Sequence, residues 1–410
     1  MITRRFAVWV ALLAALRVVP ALVVLAADGR SLPGLPGSAY GPPDGDTYGF
    51  YAAAREFVSA WGHVSRPLLA VAALALMVIA LYGRRAWRRG ARGTAVAVVS
   101  AAAGAFVALA VRAMVPTGAG AVGWPIVWSL PMFPLRAAHL LSYHVAYYLG
   151  VAILLACNVA TVVATAVVTR KLLPGRVALV APGLLVVWPF LMRLVEGTGN
   201  TVYGSWLTDS GVQLYSEPLS TALVAVALAL VITRPAMPAA AAAAGALTAF
   251  ATATRLSNVT VVLLVGAVLL TSRDRRVIAA FTVAAAGVGL IAAEFWSKGY
   301  ATFVDKASPQ APDGIFSWHY LLRSWRDSGV FDWRMLVLLL PLPLLGAYAL
   351  RKRRRESVLL GGTIVITAAF YSAYYITALH PRFLFVALPP LFVLAAAGVD
   401  AVLRRAVRPG

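Results

Sequence analysis

The chain of 410 residues is too apolar for one soluble domain, because 61% of its residues are hydrophobic, only 12% are charged, and the mean hydropathy is +0.82. This composition is typical of a polytopic membrane protein. The formal net charge of +21 does not indicate nucleic-acid binding, since the basic residues cluster in connections between apolar segments. The single cysteine, Cys157, excludes a disulfide framework and a thiolate metal site.

Taken in chain order, the apolar segments predict an all-α protein with about twelve membrane spans. No cleavable signal peptide is expected, so the first apolar run is retained as a span. The predicted spans are 6–27, 67–83, 94–115, 141–168, 177–195, 217–233, 237–253, 258–271, 277–296, 335–350, 358–378 and 384–403. No soluble domain or tandem repeat is evident, so 1–410 is treated as a single membrane domain.

Basic residues fall at every second connection between these spans, as the positive-inside rule predicts for cytoplasmic loops. These clusters are 4–5, 84–92, 170–176, 234, 273–276, 351–355 and 404–408. Both termini are therefore expected in the cytoplasm. The 237–271 stretch is expected to form two short helices that turn outside at 254–258, because one helix would put Arg234 and Arg273 on opposite sides.

The opposite, outer face receives the long connections 28–66, 116–140, 196–216 and 297–334. All but three of the fifteen acidic residues lie there, the exceptions being Asp274, Glu356 and Asp400. The five histidines follow the same pattern: His63, His139, His144, His319 and His380. The aromatic-rich stretches 123–135 and 316–333 are expected to form interfacial helices that wall a cavity. The sequence thus favours chemistry at the outer face.

The first outer loop contains the stretch Gly-Pro-Pro-Asp44-Gly-Asp46-Thr-Tyr48-Gly-Phe-Tyr51. Glycine and proline end regular structure here, and 47–60 is predicted to form an amphipathic helix with Asp46 at or near its N-cap. Asp46 can therefore be a cap or a catalytic carboxylate. Asp44 and Asp46 share a spacing known from divalent-cation sites, but two carboxylates are too few ligands, and no metal or other cofactor is expected.

Three further motifs stand at predicted outer helix ends. Glu217 follows Ser216 and precedes Pro218, Arg255 follows Thr254, and Arg382 follows His380 and Pro381. Each has an ordinary interpretation as a helix-start acid or an interfacial cation. A guanidinium beside a polar cavity can equally bind an anionic headgroup.

Arg17 and Arg112 lie within or near the ends of apolar runs, and Arg193 closes the fifth. A charge in the membrane is costly, so a partner or a function is expected for each of them. The sequence assigns none.

Together these motifs resemble the GT-C superfamily of membrane glycosyltransferases. The resemblance rests on Asp46 with Tyr48 and Tyr51, on Ser-Glu217-Pro, on Thr-Arg255, and on the ending His380-Pro-Arg-Phe-Leu-Phe-Val-Ala-Leu-Pro-Pro-Leu-Phe-Val-Leu-Ala-Ala-Ala-Gly. The topology match covers the whole chain, but the motifs are short. The family's acidic pair is often adjacent, whereas a glycine separates Asp44 from Asp46 here, so either can be the catalytic acid. The lack of a large C-terminal outer domain resembles compact bacterial mannosyltransferase-like members.

The resemblance implies inverting transfer of a sugar, mannose first among the candidates, from a polyprenyl-phosphate carrier in the plasma membrane to a lipid, glycan or protein acceptor. Asp46 would be the general base. Arg255 and Arg382, with His380, would stabilise the leaving phosphate. Tyr48, Tyr51, Glu217 and His319 complete the expected substrate-binding set, in a role in cell-envelope biogenesis without nucleic acid.

Two other functional classes remain open. A multi-pass transporter or flippase has a similar number of spans, but it concentrates functional charge near the bilayer midplane and usually has repeated halves. A non-catalytic scaffold would need no convergence of polar groups. An outer cavity that contains Asp46 and a guanidinium would favour transfer, and a central pathway open to alternating sides would favour transport.

The topology can be tested by cysteine labelling in a variant that lacks Cys157. Cysteines introduced at positions 88 and 353 are expected to be protected from a membrane-impermeant thiol reagent in intact cells and to react after permeabilisation, because both lie in basic loops. Labelling of either position in intact cells would reverse the inside/outside assignment.

Overall fold

The computed structural model describes residues 4–27, 45–115, 121–196, 209–272, 274–321, 340–375 and 381–406. Within these ranges the chain is 85% helical and has no strand. One isolated antiparallel bridge joins Phe316 to Tyr374. The predicted all-α class is confirmed.

Sixteen α-helices are numbered here in chain order within the described ranges. They are α1 (Arg4–Leu16), α2 (Val19–Ala27), α3 (Gly45–Ala60), α4 (Arg66–Arg88), α5 (Arg92–Ala113), α6 (Gly123–Ser129), α7 (Met132–Ala137), α8 (Tyr143–Leu172), α9 (Val180–Glu196), α10 (Glu217–Thr233), α11 (Pro238–Thr254), α12 (Val259–Leu270), α13 (Arg275–Ala307), α14 (Pro341–Ala349), α15 (Arg354–Ser372) and α16 (Leu388–Ala406). Short 3₁₀ turns occupy Gly175–Leu179, Leu256–Asn258, Ser308–Gln310 and Pro381–Ala387.

Seven helical segments in the described residues are long and apolar enough to cross a membrane. They are Arg4–Ala26, Arg66–Arg88, Arg92–Ala113, Tyr143–Leu172, Gly175–Leu194, Arg275–Asp305 and Arg382–Ala406. Three shorter apolar helices follow at Glu217–Thr233, Pro238–Thr254 and Leu256–Leu270. The chain is therefore a membrane-embedded helical protein, while the total of about twelve spans and their orientation stay predictions.

The first apolar segment differs from the single helix expected at 6–27, because it is divided between α1 and α2. Pro20 gives the physical reason. Its nitrogen has no hydrogen to donate to the Leu16 carbonyl, and its ring clashes with that carbonyl. Arg17 and Val18 form the turn at the break.

The 237–271 stretch forms two helices, α11 and α12, as predicted. The turn between them is the 3₁₀ segment Leu256–Asn258. Gly245 on α11 and Gly266 on α12 are similarly far from this turn, and both face Phe281 of α13. A Cβ added to Gly245 would lie 2.5 Å from the Phe281 carbonyl oxygen, and one added to Gly266 would lie 3.3 Å from the Phe281 ring. The chain therefore reverses direction at the turn.

Helix α13 continues to Ala307, past the predicted span end at residue 296, so the expected loop 297–334 begins as helix. Its 33 residues correspond to about 50 Å, whereas the hydrocarbon core of a bilayer is about 30 Å thick. Part of α13 must therefore tilt or extend beyond the hydrocarbon.

Small residues allow α5 and α13 to approach closely. A Cβ on Gly104 would lie 2.5 Å from the Cα of Val288, and a Cβ on Gly287 would clash with Ala101. Membrane helices associate through such close packing, because lipid provides little hydrophobic drive between them.

We expect Gly287→Ala to destabilise the protein by about 1–3 kcal/mol, since the new methyl group forces the two helices apart. Gly289→Ala is the matched control on the same helix, where an added Cβ would meet nothing within 4 Å. Thermal unfolding in detergent compares the two variants. Equal unfolding midpoints would show that the α5–α13 contact is not close.

Candidate functional site

Three of the predicted site residues meet in one buried ion-pair cluster. Nη1 of Arg255 lies 2.5 Å from Oε1 of Glu217, and Nε of Arg382 lies 3.1 Å from the same oxygen. Side chains of Glu217 and Arg382 are only 4% and 6% exposed. This Glu217–Arg255–Arg382 cluster joins the start of α10, the end of α11 and the 3₁₀ segment before α16.

Arg255 keeps one side of its guanidinium available. Its Nε donates to the Tyr371 hydroxyl at 3.2 Å, and its Nη1 donates to Ser216 Oγ at 3.4 Å in addition to pairing with Glu217. Its side chain is 17% exposed, more than those of Glu217 and Arg382, which are 4% and 6% exposed. Nη2 donates no hydrogen bond to a described residue, so this nitrogen can donate to a ligand.

Aromatic rings cover both guanidinium groups. Cζ of Arg255 lies 4.4 Å from the ring centroid of Phe383, and Cζ of Arg382 lies 4.0 Å from that of Tyr215. Tyr371 stacks on Phe383 with centroids 5.2 Å apart. Cations over ring faces gain electrostatic stabilisation, and the rings also limit water access to the ion pairs.

The turn between α11 and α12 fixes the position of Arg255. Nδ2 of Asn258 donates to Ser220 Oγ at 2.7 Å and to the Ala251 carbonyl at 2.9 Å, which ties the turn to α10 and α11. The Ser257 hydroxyl lies 2.6 Å from that of Tyr371. Short polar side chains suit this position because they satisfy backbone groups left free at helix ends.

Helix α3 confirms the predicted 47–60 helix and begins two residues earlier, at Gly45, so Asp46 lies in its first turn. Asp44 and the side chain of Asp46 lie outside the described residues. Phe50 follows Asp46 by one helical turn, and its ring makes an edge contact with Tyr215 at 6.4 Å. Because Tyr215 lies beneath Arg382, the first turns of α3 are close to the ion-pair cluster.

The two predicted tyrosines of α3 have different surroundings. Tyr48 is 48% exposed and can contact a ligand. Tyr51 is 6% exposed and packs against Tyr143 and Trp128, with centroids 5.1 and 5.9 Å away. Tyr51 therefore serves the core rather than an open sugar-binding surface.

The predicted interfacial stretch 123–135 does form helices, α6 and α7, but both of its tryptophans are in the core. Trp124 and Trp128 are fully buried and stacked 5.4 Å apart. Their indole nitrogens donate to the carbonyls of Leu214 and Ala146 at 2.8 and 2.7 Å. These partners satisfy the indole N–H groups without a membrane interface.

The two predicted histidines do not add described contacts to the cluster. His319 is exposed, and its Nδ1 lies 3.7 Å from Asp313. His380 lies outside the described residues. The segment near His319 is nevertheless joined to the end of α15, which carries Tyr371. The backbone N–H of Ser317 donates to the Ala373 carbonyl at 2.9 Å, and the backbone N–H of Tyr375 donates to the Ile315 carbonyl at 3.1 Å.

A second buried ion pair was not predicted. Nη2 of Arg17 lies 2.6 Å from Oδ1 of Asp209. The sequence indicates that an arginine in an apolar run needs a partner. It does not identify Asp209 as that partner, because Asp209 lies in a long predicted connection whose residue spacing does not show which side chains face Arg17. Arg112 approaches Glu294 only at 4.0 Å, and its side chain is 72% exposed.

The described residues contain no group of three or more His, Cys, Asp or Glu side chains that could hold a metal ion. No known family model matches the chain, and no curated protein matches it either. The chemical capacity of the site therefore has to be argued from its own geometry.

Among the described residues, the cluster brings two guanidinium groups together with one carboxylate. A guanidinium nitrogen that is open to a ligand favours an anion, because charge-assisted hydrogen bonds are strongest away from water. Arg255 can supply the contact through Nη2, while Glu217 and the aromatic rings fix its orientation. The arrangement of donors is chemically suited to binding an anion such as a phosphate group.

We expect Glu217→Gln to destabilise the protein by about 3–5 kcal/mol, because it leaves two guanidinium groups without a carboxylate in a buried site. Glu294→Gln is the control and should cost less than about 1 kcal/mol, since its ion pair is long and its partner exposed. Unfolding in detergent measures both. Similar stabilities of the two variants would exclude a structural role for the buried cluster.

Proposed function

We propose that the chain is a glycosyltransferase that moves a sugar, with mannose as the first candidate, from a polyprenyl-phosphate carrier to a lipid, glycan or protein acceptor. The single observation that carries this proposal is the Glu217–Arg255–Arg382 cluster. It combines two guanidinium groups, an Arg255 Nη2 that donates to no described residue, and a setting among apolar helices where a lipid-linked anion can arrive from the bilayer.

The carrier phosphate would bind to Arg255. Its planar guanidinium directs N–H groups along fixed lines, and Nη2 is the nitrogen without a described partner. Arg382 is held more deeply, against Tyr215 and Glu217, and would contribute mainly its charge. Developing charge on the leaving phosphate would thus meet donors whose orientation is already fixed.

Asp46 would act as the general base. It lies one helical turn before Phe50, which contacts Tyr215 at the edge of the cluster. In the proposed reaction, an acceptor hydroxyl attacks the anomeric carbon and forms the new C–O bond. The bond from that carbon to the phosphate oxygen breaks, its electron pair leaves with the phosphate, and the hydroxyl proton passes to Asp46.

Asp44 would orient the acceptor or Asp46, and exposed Tyr48 could contact a sugar face.

The reaction would take place at the extracytoplasmic face of the plasma membrane, with both chain termini in the cytoplasm. The excess of basic residues in alternate connections supports this orientation. Such an enzyme would contribute to cell-envelope biogenesis in a bacterium.

Transport is the second candidate, and one observation favours it: a buried Arg17–Asp209 ion pair at a break in the first apolar segment. Broken helices with buried charges are typical of transporter sites. Pro20 accounts for the break, however, and the pair leaves no net charge to bind a substrate ion. The Nη2 of Arg255, which donates to no described residue, favours transfer of a phosphate-linked sugar.

Asp46→Asn is expected to reduce the rate of sugar transfer by about 10²- to 10⁴-fold, because the amide cannot accept the proton. Membranes supplied with radiolabelled polyprenyl-phosphate sugars provide the assay. Asp274→Asn is the matched control, since Asp274 caps the start of α13 and has no proposed catalytic role. Near-normal transfer by Asp46→Asn, together with loss in Asp44→Asn, would move the base to Asp44. Unchanged transfer in both would contradict the mechanism.

A further inference from the structure

We propose that the buried Arg17–Asp209 ion pair is a positioning element for Arg255, acting through the segment that carries Glu217. This inference rests on the proposed function, because it assumes that Arg255 binds the carrier phosphate. It adds two residues, one of them at a helix break, to the set that determines phosphate affinity.

The Arg17 guanidinium binds three oxygen atoms. Nη1 of Arg17 donates to the Leu185 carbonyl at 3.0 Å, and Nη2 donates to the carbonyl and to Oδ1 of Asp209 at 3.0 and 2.6 Å. The Arg17 side chain is 4% exposed and that of Asp209 is 9% exposed. A lysine could not make these contacts together, because its ammonium lacks the planar fork.

Residues 209–216 connect this pair to Glu217 largely without regular structure. Side chains from neighbouring helices bind their carbonyls: Asn158 donates to Asp209 at 2.9 Å, Tyr147 to Val212 at 2.8 Å, and Trp124 to Leu214 at 2.8 Å. A buried irregular segment needs such donors, since its backbone groups have no ladder or helix partners.

The segment ends in residues that contact the ion-pair cluster. Tyr215 lies under Arg382, and Ser216 accepts a hydrogen bond from Arg255. Glu217 then begins α10 and pairs with both arginines. In the proposed coupling, a displacement of Asp209 would move the segment that ends at Tyr215, Ser216 and Glu217.

The pair also adjoins a small cavity that continues toward α10. Arg17, Asn158, Asp209 and Thr221 are among the residues that line it. Oδ2 of Asp209 and Oγ1 of Thr221 are buried without a hydrogen-bond partner in the described residues. A water molecule in the cavity would satisfy both atoms and link Asp209 to α10 one turn after Glu217.

A buried ion pair is not by itself a reason for stability, since its desolvation can exceed its Coulombic gain. Geometry is the better explanation here, because the pair orients a segment whose far end carries the cluster. The expected signature is coupling between Arg17 and Arg255 in phosphate binding. A purely structural role predicts loss of folded protein without such coupling.

The test is a double-mutant cycle on the full-length protein in lipid nanodiscs, with undecaprenyl phosphate as the probe. Arg17→Lys and Arg255→Lys should each raise the Kd of the folded protein by about tenfold, and the double variant should bind no more weakly than Arg255→Lys alone. Arg112→Lys is the control and should leave Kd unchanged, because that side chain is largely exposed.

Multiplied effects in the double variant, or an unchanged Kd for Arg17→Lys, would overturn the positioning role. Asp209→Glu provides the same cycle if Arg17→Lys does not fold, because it retains the charge and moves the carboxylate. Failure of the wild-type protein to bind the probe would contradict the proposed function itself, and is thereby distinguished from failure of the coupling.

Discussion

The arrangement of this protein depends on the requirement that a buried carboxylate have cationic partners. Glu217 is 3% exposed and would be strongly destabilising alone, so Arg255 and Arg382 must reach it from segments distant in sequence. That requirement brings together the start of α10, the turn after α11 and the segment before α16. Within the described part of the chain, two cations meet one anion here, and Nη2 of Arg255 donates to none of the described residues.

The Arg17–Asp209 pair follows the same physical rule with a different result. Its charges cancel, its cation also binds two carbonyls, and its anion belongs to an irregular segment. In a membrane, where lipid cannot satisfy polar backbone groups, such a segment persists only when protein side chains bind it. The Arg17–Asp209 pair and the aromatic donors of α6 and α8 therefore hold the segment that leads to Glu217 and its two arginines.

Much of the fold could be predicted from hydropathy, because apolar runs of spanning length have few alternatives to helix. Glu217, Arg255 and Arg382 were also identified singly, as charges at helix ends. Their convergence could not be predicted, since it depends on how helices far apart in sequence pack. Asp209 and Tyr371 gave no usable signal: one is a single acid in a long connection, and the other lies inside a predicted span. Pro20 explains a break that average hydropathy conceals, and the burial of Trp124 and Trp128 depends on tertiary partners.

The most direct test of the account is an experimental structure of the protein in lipid nanodiscs with bound undecaprenyl phosphate. We expect density for the phosphate within about 2.7–3.2 Å of a guanidinium nitrogen of Arg255, with the lipid chain extending between helices into the bilayer. Arg382 should remain paired with Glu217 in that complex. Phosphate density at the opposite, arginine-rich end of the helices, with the Glu217–Arg255–Arg382 cluster unoccupied, would contradict the assignment of this cluster as the phosphate site.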